Sequence, residues 1–245
     1  MPMDRQPTIS VIIIAHNEEE HIGACIEHIL HQTKKADEIV VIVHNSTDRT
    51  REIAESYPVT VVSYEGPVGI TYARLKGLQS VSGDIILCTD GDSRAKVDWV
   101  ETLARLLGAR DNRLVGSYVR LEGNLFVRLF SIVHKYSCAR KDAAAASWVW
   151  GASMGFWGKD IGRVRPIFEQ GSSLSKEIGL SRNPEDYWLA LFMSRAGNIE
   201  VTNHTYVAVR AKETSFWHGL KRNRENIGNG ERMLKYFKEH PELTS

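Results

Sequence analysis

The chain has 245 residues, enough for one large domain with a full apolar core, and its 42% hydrophobic and 25% charged content is that of an ordinary globular protein. Thirty-one basic residues against thirty acidic ones leave a net charge of +1, which excludes a global electrostatic case for a nucleic-acid partner. There is no run of about eighteen apolar residues and no signal-like start, so the expected location is the cytoplasm. Three cysteines at unrelated spacings, Cys25, Cys88 and Cys138, read as reduced, buried thiols.

Ile9 to Ala15 is an almost unbroken β-branched run and predicts a strand. The polar His16-Asn17-Glu18-Glu19-Glu20 follows, then an amphipathic helix carrying Ile22, Cys25, Ile26, Ile29 and Leu30, with the acids suiting its positive end. The pattern repeats with a strand over 38–43 and a helix over 46–56 that Ser46 or Thr47 would cap. A third strand spans 58–64, and the turn Gly66-Pro67-Val68-Gly69 leads into a helix through Ala73, Leu75 and Leu78. The fourth strand is the apolar run Ile85-Ile86-Leu87, which ends abruptly in Asp90-Gly91-Asp92, and a helix over 95–107 follows. A divalent cation is a natural reason to crowd two acids at a strand end, because it lets them hold a diphosphate that they would otherwise repel. A solvated turn is the plainer alternative for a short motif of this kind.

Strands alternating with helices argue for an α/β domain with a mostly parallel sheet covered on both faces and ligands bound outside the carboxyl ends of its strands. Asn17, Glu18, His44, Asn45, Asp90 and Asp92 would all lie at those ends, within reach of one nucleotide-sized ligand.

These residues carry a resemblance. Ser10 to Glu19, Val43-His44-Asn45-Ser46-Thr47-Asp48-Arg49-Thr50, Gly69 to Gly77 with Arg74, and Thr89-Asp90-Gly91-Asp92 resemble, in order and spacing, four motifs of the family 2 glycosyltransferases. The resemblance implies the GT-A fold, Rossmann-like, and a UDP- or GDP-linked sugar donor contacted by Ala15, His16, Asn17, Glu18, His44, Asn45, Gly69, Arg74, Asp90, Gly91 and Asp92. It also implies Mg2+ or Mn2+ held by Asp92 directly, with Asp90 near the ribose and metal. The second-strand motif departs from the family pattern, with Val43 and His44 where acids for the base are usual, so the base stays open.

In the second half, a strand is predicted over 113–121 and a helix over 124–137 whose apolar residues could face a membrane surface or a partner chain, or simply the core. Ser147 to Trp157 is dense in tryptophan and glycine. Glycine admits a ligand to the backbone and indole can stack on a sugar ring, while aromatic core packing is the rival reading. Resemblance to the family's acceptor-side segment favours acceptor binding by Trp150, Gly151 and Ala152. Gln170 to Asn183 reads as loosely structured.

Asn183-Pro184-Glu185-Asp186 reads as a helix start, where acids commonly serve the dipole. The resemblance to the Glu-Asp motif of inverting members implies Asp186 as the catalytic base and Glu185 as a supporting, acceptor-binding acid. Inversion needs one base for the acceptor hydroxyl and a cation for the departing diphosphate. His218 is the candidate further metal ligand, with His204 as its rival, and Lys221, Arg222 and Arg224 could reach the diphosphate, with Gly228 and Gly230 in a mobile lid.

The whole is expected to be a single domain, about 8–107 binding the nucleotide sugar and about 108–240 binding the acceptor. The acceptor would be a glycan or a lipid-linked phosphate, with peripheral contact at the inner face of a membrane and no nucleic acid. A non-catalytic nucleotide-sugar scaffold is the main alternative. A nucleotidyltransferase is a third, and would carry a glycine-rich basic loop where this chain has His16-Asn17-Glu18-Glu19.

Overall fold

The computed structural model describes residues 5–109, 111–137, 149–180, 184–210 and 216–243. Four strands, β1 (Ile9–Ala15), β2 (Glu38–His44), β3 (Thr60–Tyr64) and β4 (Ile85–Asp90), alternate with α1 (Ile22–Leu30), α2 (Thr50–Glu55) and α3 (Ile70–Leu78). After them come β5 (Ser93–Ala95), α4 (Trp99–Leu107), β6 (Asn112–Glu122), α5 (Leu125–Ser137), β7 (Met154–Trp157), α6 (Ile161–Glu177), α7 (Glu185–Ala196), β8 (Asn198–Arg210) and α8 (Phe216–Glu239). All eight strands join one sheet in the order β3-β2-β1-β4-β7-β6-β8-β5.

The first four strands are mutually parallel, as alternating strands and helices require. β7 then enters antiparallel between β4 and β6, so the sheet is mixed at its centre and again where β5 pairs antiparallel with β8. Strand alternation divides the core in two. Val11, Ile13, Val41, Ile85 and Leu87 pack under α1 and α4, while Ile12, Ile14, Ile42, Ile86 and Cys88 pack under α3, α6 and α7. Cys25 and Cys88 are buried free thiols, and burial pushes the Cys88 thiol up to about 12. Cys138 lies outside the described residues.

Several expectations are corrected. Residues 170–177 are not loose: they belong to α6, which runs through Pro166 because Val164, Ile167, Phe168 and Leu174 bury one face against the core. The helix expected from residue 46 starts at Thr50, after a turn in which Asp48 Oδ1 accepts from the Thr50 amide at 3.0 Å. The helix expected from residue 95 starts at Trp99, because Ser93–Ala95 is drawn off as β5 against β8. α1 has no acid in its first turn, since Glu18 to Glu20 precede it and the Glu18 carbonyl accepts from the amides of His21 and Ile22. β8, thirteen residues long, was not anticipated.

Candidate active site

The carboxyl ends of β1, β2 and β4 meet at the crevice that parallel topology creates. Chains leave β1 and β2 through Asn17 and Asn45, both left-handed (φ 52° and 48°), a conformation that asparagine tolerates better than most residues. Each is locked to the neighbouring loop. Asn17 Oδ1 accepts from the Thr47 amide at 2.8 Å, and Asn45 makes a reciprocal pair with Gly66, donating to its carbonyl at 2.9 Å and accepting from its amide at 3.1 Å. His16 Nδ1–H donates to the His44 carbonyl at 2.8 Å, and the Glu18 amide donates to Thr50 Oγ1 at 2.7 Å. His16 and Asn17 are exposed at the mouth, whereas Glu18 and Asn45 are half-buried.

His44 is buried, stacked on Tyr64 with ring centroids 5.3 Å apart, and donates from Nε2 to the Pro67 carbonyl at 3.1 Å. Burial lowers its pKa, so the ring is neutral at pH 7. It therefore steadies the loop that leads through Gly69 into α3.

β4 delivers the carboxylates. Gly91 packs against β1, where a Cβ would meet that of Ala15 at 3.0 Å, and its amide donates to the Ile14 carbonyl at 2.7 Å. Asp90 and Asp92, half-buried, flank this close approach at the strand end. The Cys25 thiol donates to the Asp90 carbonyl at 3.4 Å, and burial together with Asp92 and Asp90 raises its pKa. Among the described residues no group of three or more His, Cys, Asp or Glu is assembled for a metal. Two hard carboxylates nonetheless fit Mg2+ or Mn2+, which commonly keep waters and substrate phosphate oxygens as their remaining ligands.

Opposite β4 stand the segment before β7 and the start of α7. Thr89 Oγ1 donates to the Ala152 carbonyl at 2.9 Å, fixing residues 150–153 to the strand. Gly151 N–H donates to Asp186 Oδ2 at 3.0 Å, while Asp186 Oδ1 accepts from the Tyr187 amide at 2.9 Å. Arg74, with a side chain only 2% exposed, lies between: Nη2 is 3.3 Å from Asp90 Oδ1, Nε is 3.3 Å from Glu185 Oε1, and Nη1 donates to the Gly151 carbonyl at 3.0 Å. Glu185 is buried. Its pKa is pushed up to about 7, by desolvation first and the neighbouring Asp186 second, with Arg74 opposing.

Asp90, Gly151, Ala152, Glu185 and Asp186 are thus gathered at one crevice, with Asp92 two residues beyond Asp90 and the β1 and β2 loops beside it. Trp150 is half-buried against the core under α1 and α4. His204 sits on β8 with its carbonyl accepting from Lys96 Nζ at 3.2 Å, away from Asp92. The side chains of His218, Lys221, Arg222 and Arg224 and all of Trp148 lie outside the described residues. Thr89, Thr50 and Tyr64 support the site, as does Ser46, whose Oγ accepts from the Asn17 amide at 3.1 Å; from sequence Thr89 and Thr50 stand only within motifs, Ser46 stands as a helix cap, and Tyr64 has no role. The inward position of Arg74 had a signal: it shares the face of α3 at spacings three and four with Gly77 and Leu78.

A sheet wound in this order, with a carboxylate turn at its switch point, is the GT-A fold. The sequence model described as Glycosyl transferase family 2 matches residues 10–157, and the chain belongs to that family. It is similar to the glycosyltransferase GlyG of Streptococcus pneumoniae, 29% identical over 127 residues that are 48% of this chain and 42% of that protein. The chain therefore aligns with less than half of that relative's length. Among solved structures, a mannosyltransferase of Pyrobaculum calidifontis in complex with GDP-Man and Mn2+ shares the fold at TM-score 0.61 and 19% identity, covering 90% of this chain and 61% of that one. Glucosyl-3-phosphoglycerate synthase of Mycobacterium tuberculosis, in complex with Mn2+, UDP and glucosyl-3-phosphoglycerate, does so at TM-score 0.59 and 22% identity, covering 94% and 79%.

Proposed function

We propose that the chain is a metal-dependent, inverting glycosyltransferase that moves a sugar from a UDP- or GDP-linked donor to an acceptor hydroxyl or phosphate. The observation that carries this reading is that one residue, Gly151, is hydrogen-bonded to Asp186 and to the arginine that pairs with Asp90, so a strand-end carboxylate pair and a separate carboxylate share one crevice. A donor diphosphate at the first and an acceptor at the second would face each other. The nucleotide and metal complexes of the two solved neighbours support the donor class.

In this reading Ala15, His16, Asn17, Glu18, Asn45 and Gly69 line the nucleoside side, and His44 shapes it through the loop that it holds. Asp92 and Asp90 would hold Mg2+ or Mn2+, which when bound stabilises negative charge on the departing diphosphate. Asp186, steadied by two backbone amides, takes the proton of the acceptor hydroxyl as that oxygen attacks the anomeric carbon from the face opposite the diphosphate. The bond from the anomeric carbon to the diphosphate oxygen breaks with its electron pair leaving on the nucleoside diphosphate. One base suffices, because a single displacement forms no enzyme-bound sugar. Trp150, Gly151, Ala152 and Glu185 border the acceptor side.

α5 exposes Leu125, Leu129 and Ile132 at 68%, 52% and 52%, one stripe at helical spacing, with the exposed Arg128 beside it and no acid from 125 to 137. This supports a lipid-linked acceptor met at an anionic membrane surface. No helix among the described residues is long and apolar enough to cross a membrane.

The test is the melting temperature with UDP, GDP, CMP and dTDP, with Mn2+ or chelator, on the native chain and Asp92→Ala. Release of UDP or GDP from UDP-glucose and GDP-mannose is followed in parallel. Metal-dependent stabilisation by one diphosphate that Asp92→Ala removes, with turnover, supports the enzyme. Metal-dependent binding without turnover supports a nucleotide-sugar scaffold instead.

A further inference from the structure

We propose that Arg74 is a positioning residue: it sets the spacing between the carboxylate end of β4 and the Glu185-Asp186 start of α7, and it acts on Asp186 through Gly151. The proposal rests on the transferase reading above but makes a structural claim of its own.

The guanidinium is reached by three segments distant in sequence. Asp90 comes from β4, Gly151 from the segment before β7, and Glu185 from α7, at 3.3, 3.0 and 3.3 Å. A side chain 2% exposed has little surface left for a ligand, so its effect on a donor passes through Asp90, whose own side chain is 28% exposed. A buried guanidinium is tolerated only where polar groups compensate it, and here the Asp90 carboxylate, the Glu185 carboxyl and the Gly151 carbonyl do so from opposite sides of the crevice. Removing it would take away the one group that joins Asp90 to Glu185 and to the Gly151 carbonyl.

Gly151 makes the link reach the candidate base. Its carbonyl accepts from Arg74 and its N–H donates to Asp186 Oδ2 at 3.0 Å, so the residue is gripped on both sides of its Cα. A Cβ on Gly151 would stand 2.0 Å from Arg74 Nη2. The guanidinium therefore lies directly over that Cα, which is why the position must lack a side chain. Lysine cannot replace this arrangement: hydrogen bonds in two directions, from Nη2 to Asp90 and from Nη1 to the Gly151 carbonyl, with Nε 3.3 Å from Glu185 Oε1, use the planar fork of arginine, while an ammonium offers one point charge on a flexible stem.

The experiment compares the native chain with Arg74→Lys, reading the hydrogen exchange of the backbone amide at position 151 and the kcat and KM for diphosphate release from UDP-glucose or GDP-mannose with Mn2+. The native Gly151 amide should be protected. In Arg74→Lys its exchange should quicken at least about tenfold as its anchor loosens, and kcat should fall about 100-fold, the effect expected of a misplacement near 1 Å. Donor KM should stay within about threefold, because nothing that touches the donor has been removed. An unprotected native amide, an exchange rate unchanged by Arg74→Lys, or a loss confined to KM would each overturn the proposal, the last by making Arg74 a donor contact. If Arg74→Lys does not fold, Gly151→Ala is read the same way, since it keeps Arg74 but forces the guanidinium aside. If the native chain turns over neither donor, the transferase reading fails, and the exchange measurement still decides the link from Arg74 to Gly151.

Discussion

Glu185 and Asp186 are consecutive residues at the start of α7, yet one carboxyl is buried against Arg74 while the other is half-buried and receives two backbone amides. The helix turn separates them by about 100°, so the first points under the crevice and the second along its wall. Glu185, with a pKa raised to about 7 from the usual 4.5, keeps its proton over a range in which the unfolded chain has lost it. The folded state then binds more protons, and this group's contribution is fully present below pH 4.5 and is lost as pH rises through 7. Glu185→Gln should remove that slope. Its stability relative to the native chain should rise between these limits by on the order of 3 kcal/mol, measured by urea denaturation at a series of pH values. A difference that is flat with pH would show that Glu185 does not titrate there.

Asp186→Asn should separate binding from chemistry. Loss of a general base costs about 100- to 10,000-fold in turnover, while the nucleotide-induced rise in melting temperature with Mn2+ should be kept. Diphosphate release and the thermal shift, measured on the same preparation, check this. Native-like turnover would remove Asp186 from the role of base.

Gly77 is where α3 lies closest to the sheet. A Cβ there would meet Ile12 Cγ2 at 2.6 Å and Ile12 Cδ1 at 3.3 Å. Because Ile12 is wholly buried in β1, α3 has to move outward to accept it. Gly77→Ala should therefore destabilise by about 1–3 kcal/mol through overpacking, despite its gain in helix propensity, as read from the urea midpoint.

The exposed stripe on α5 predicts adsorption to vesicles that contain anionic lipid and little to neutral ones. Leu125→Asp with Leu129→Asp should abolish sedimentation with those vesicles and leave the melting temperature within about 2 °C, since neither side chain is buried. Equal binding by the double variant would dismiss a membrane role for this face.

The first hundred residues were readable because β1, β2 and β4 are apolar runs, largely β-branched, that stop on polar loops. Ile9 to Ala15 and Ile85 to Leu87 cannot satisfy themselves except inside a sheet covered on both faces. β8 escaped notice because Asn198, Thr202, Asn203, His204 and Thr205 interrupt any apolar run, and its extended form is set by pairing with β6 and β5. α6 escaped for the complementary reason: Gly162, Pro166 and Gly171 lower its helix propensity, and the buried face that overrides them is recognisable only with α3 and α7 in place. At the site, Asp90, Asp92, Glu185 and Asp186 could be picked out as acids in telling places. Arg74 could be picked out too, through its resemblance to a donor-side motif, but its bridge from Asp90 to Glu185 and Gly151 could not, since residue order does not say which side chains a guanidinium joins.

The place of β7 in the sheet has a consequence for how the chain is made. β4 is hydrogen-bonded on one side to β1 and on the other to β7, whose residues 154–157 leave the ribosome more than sixty residues later. Until then a complete parallel layer β3-β2-β1-β4 would present the Ile85-Ile86-Leu87 edge to any passing strand, the kind of open border along which nascent chains stick to one another. Slow decoding after residue 90 would prolong that interval and fast decoding would shorten it, so the yield of active protein should fall when translation across residues 91–157 is slowed.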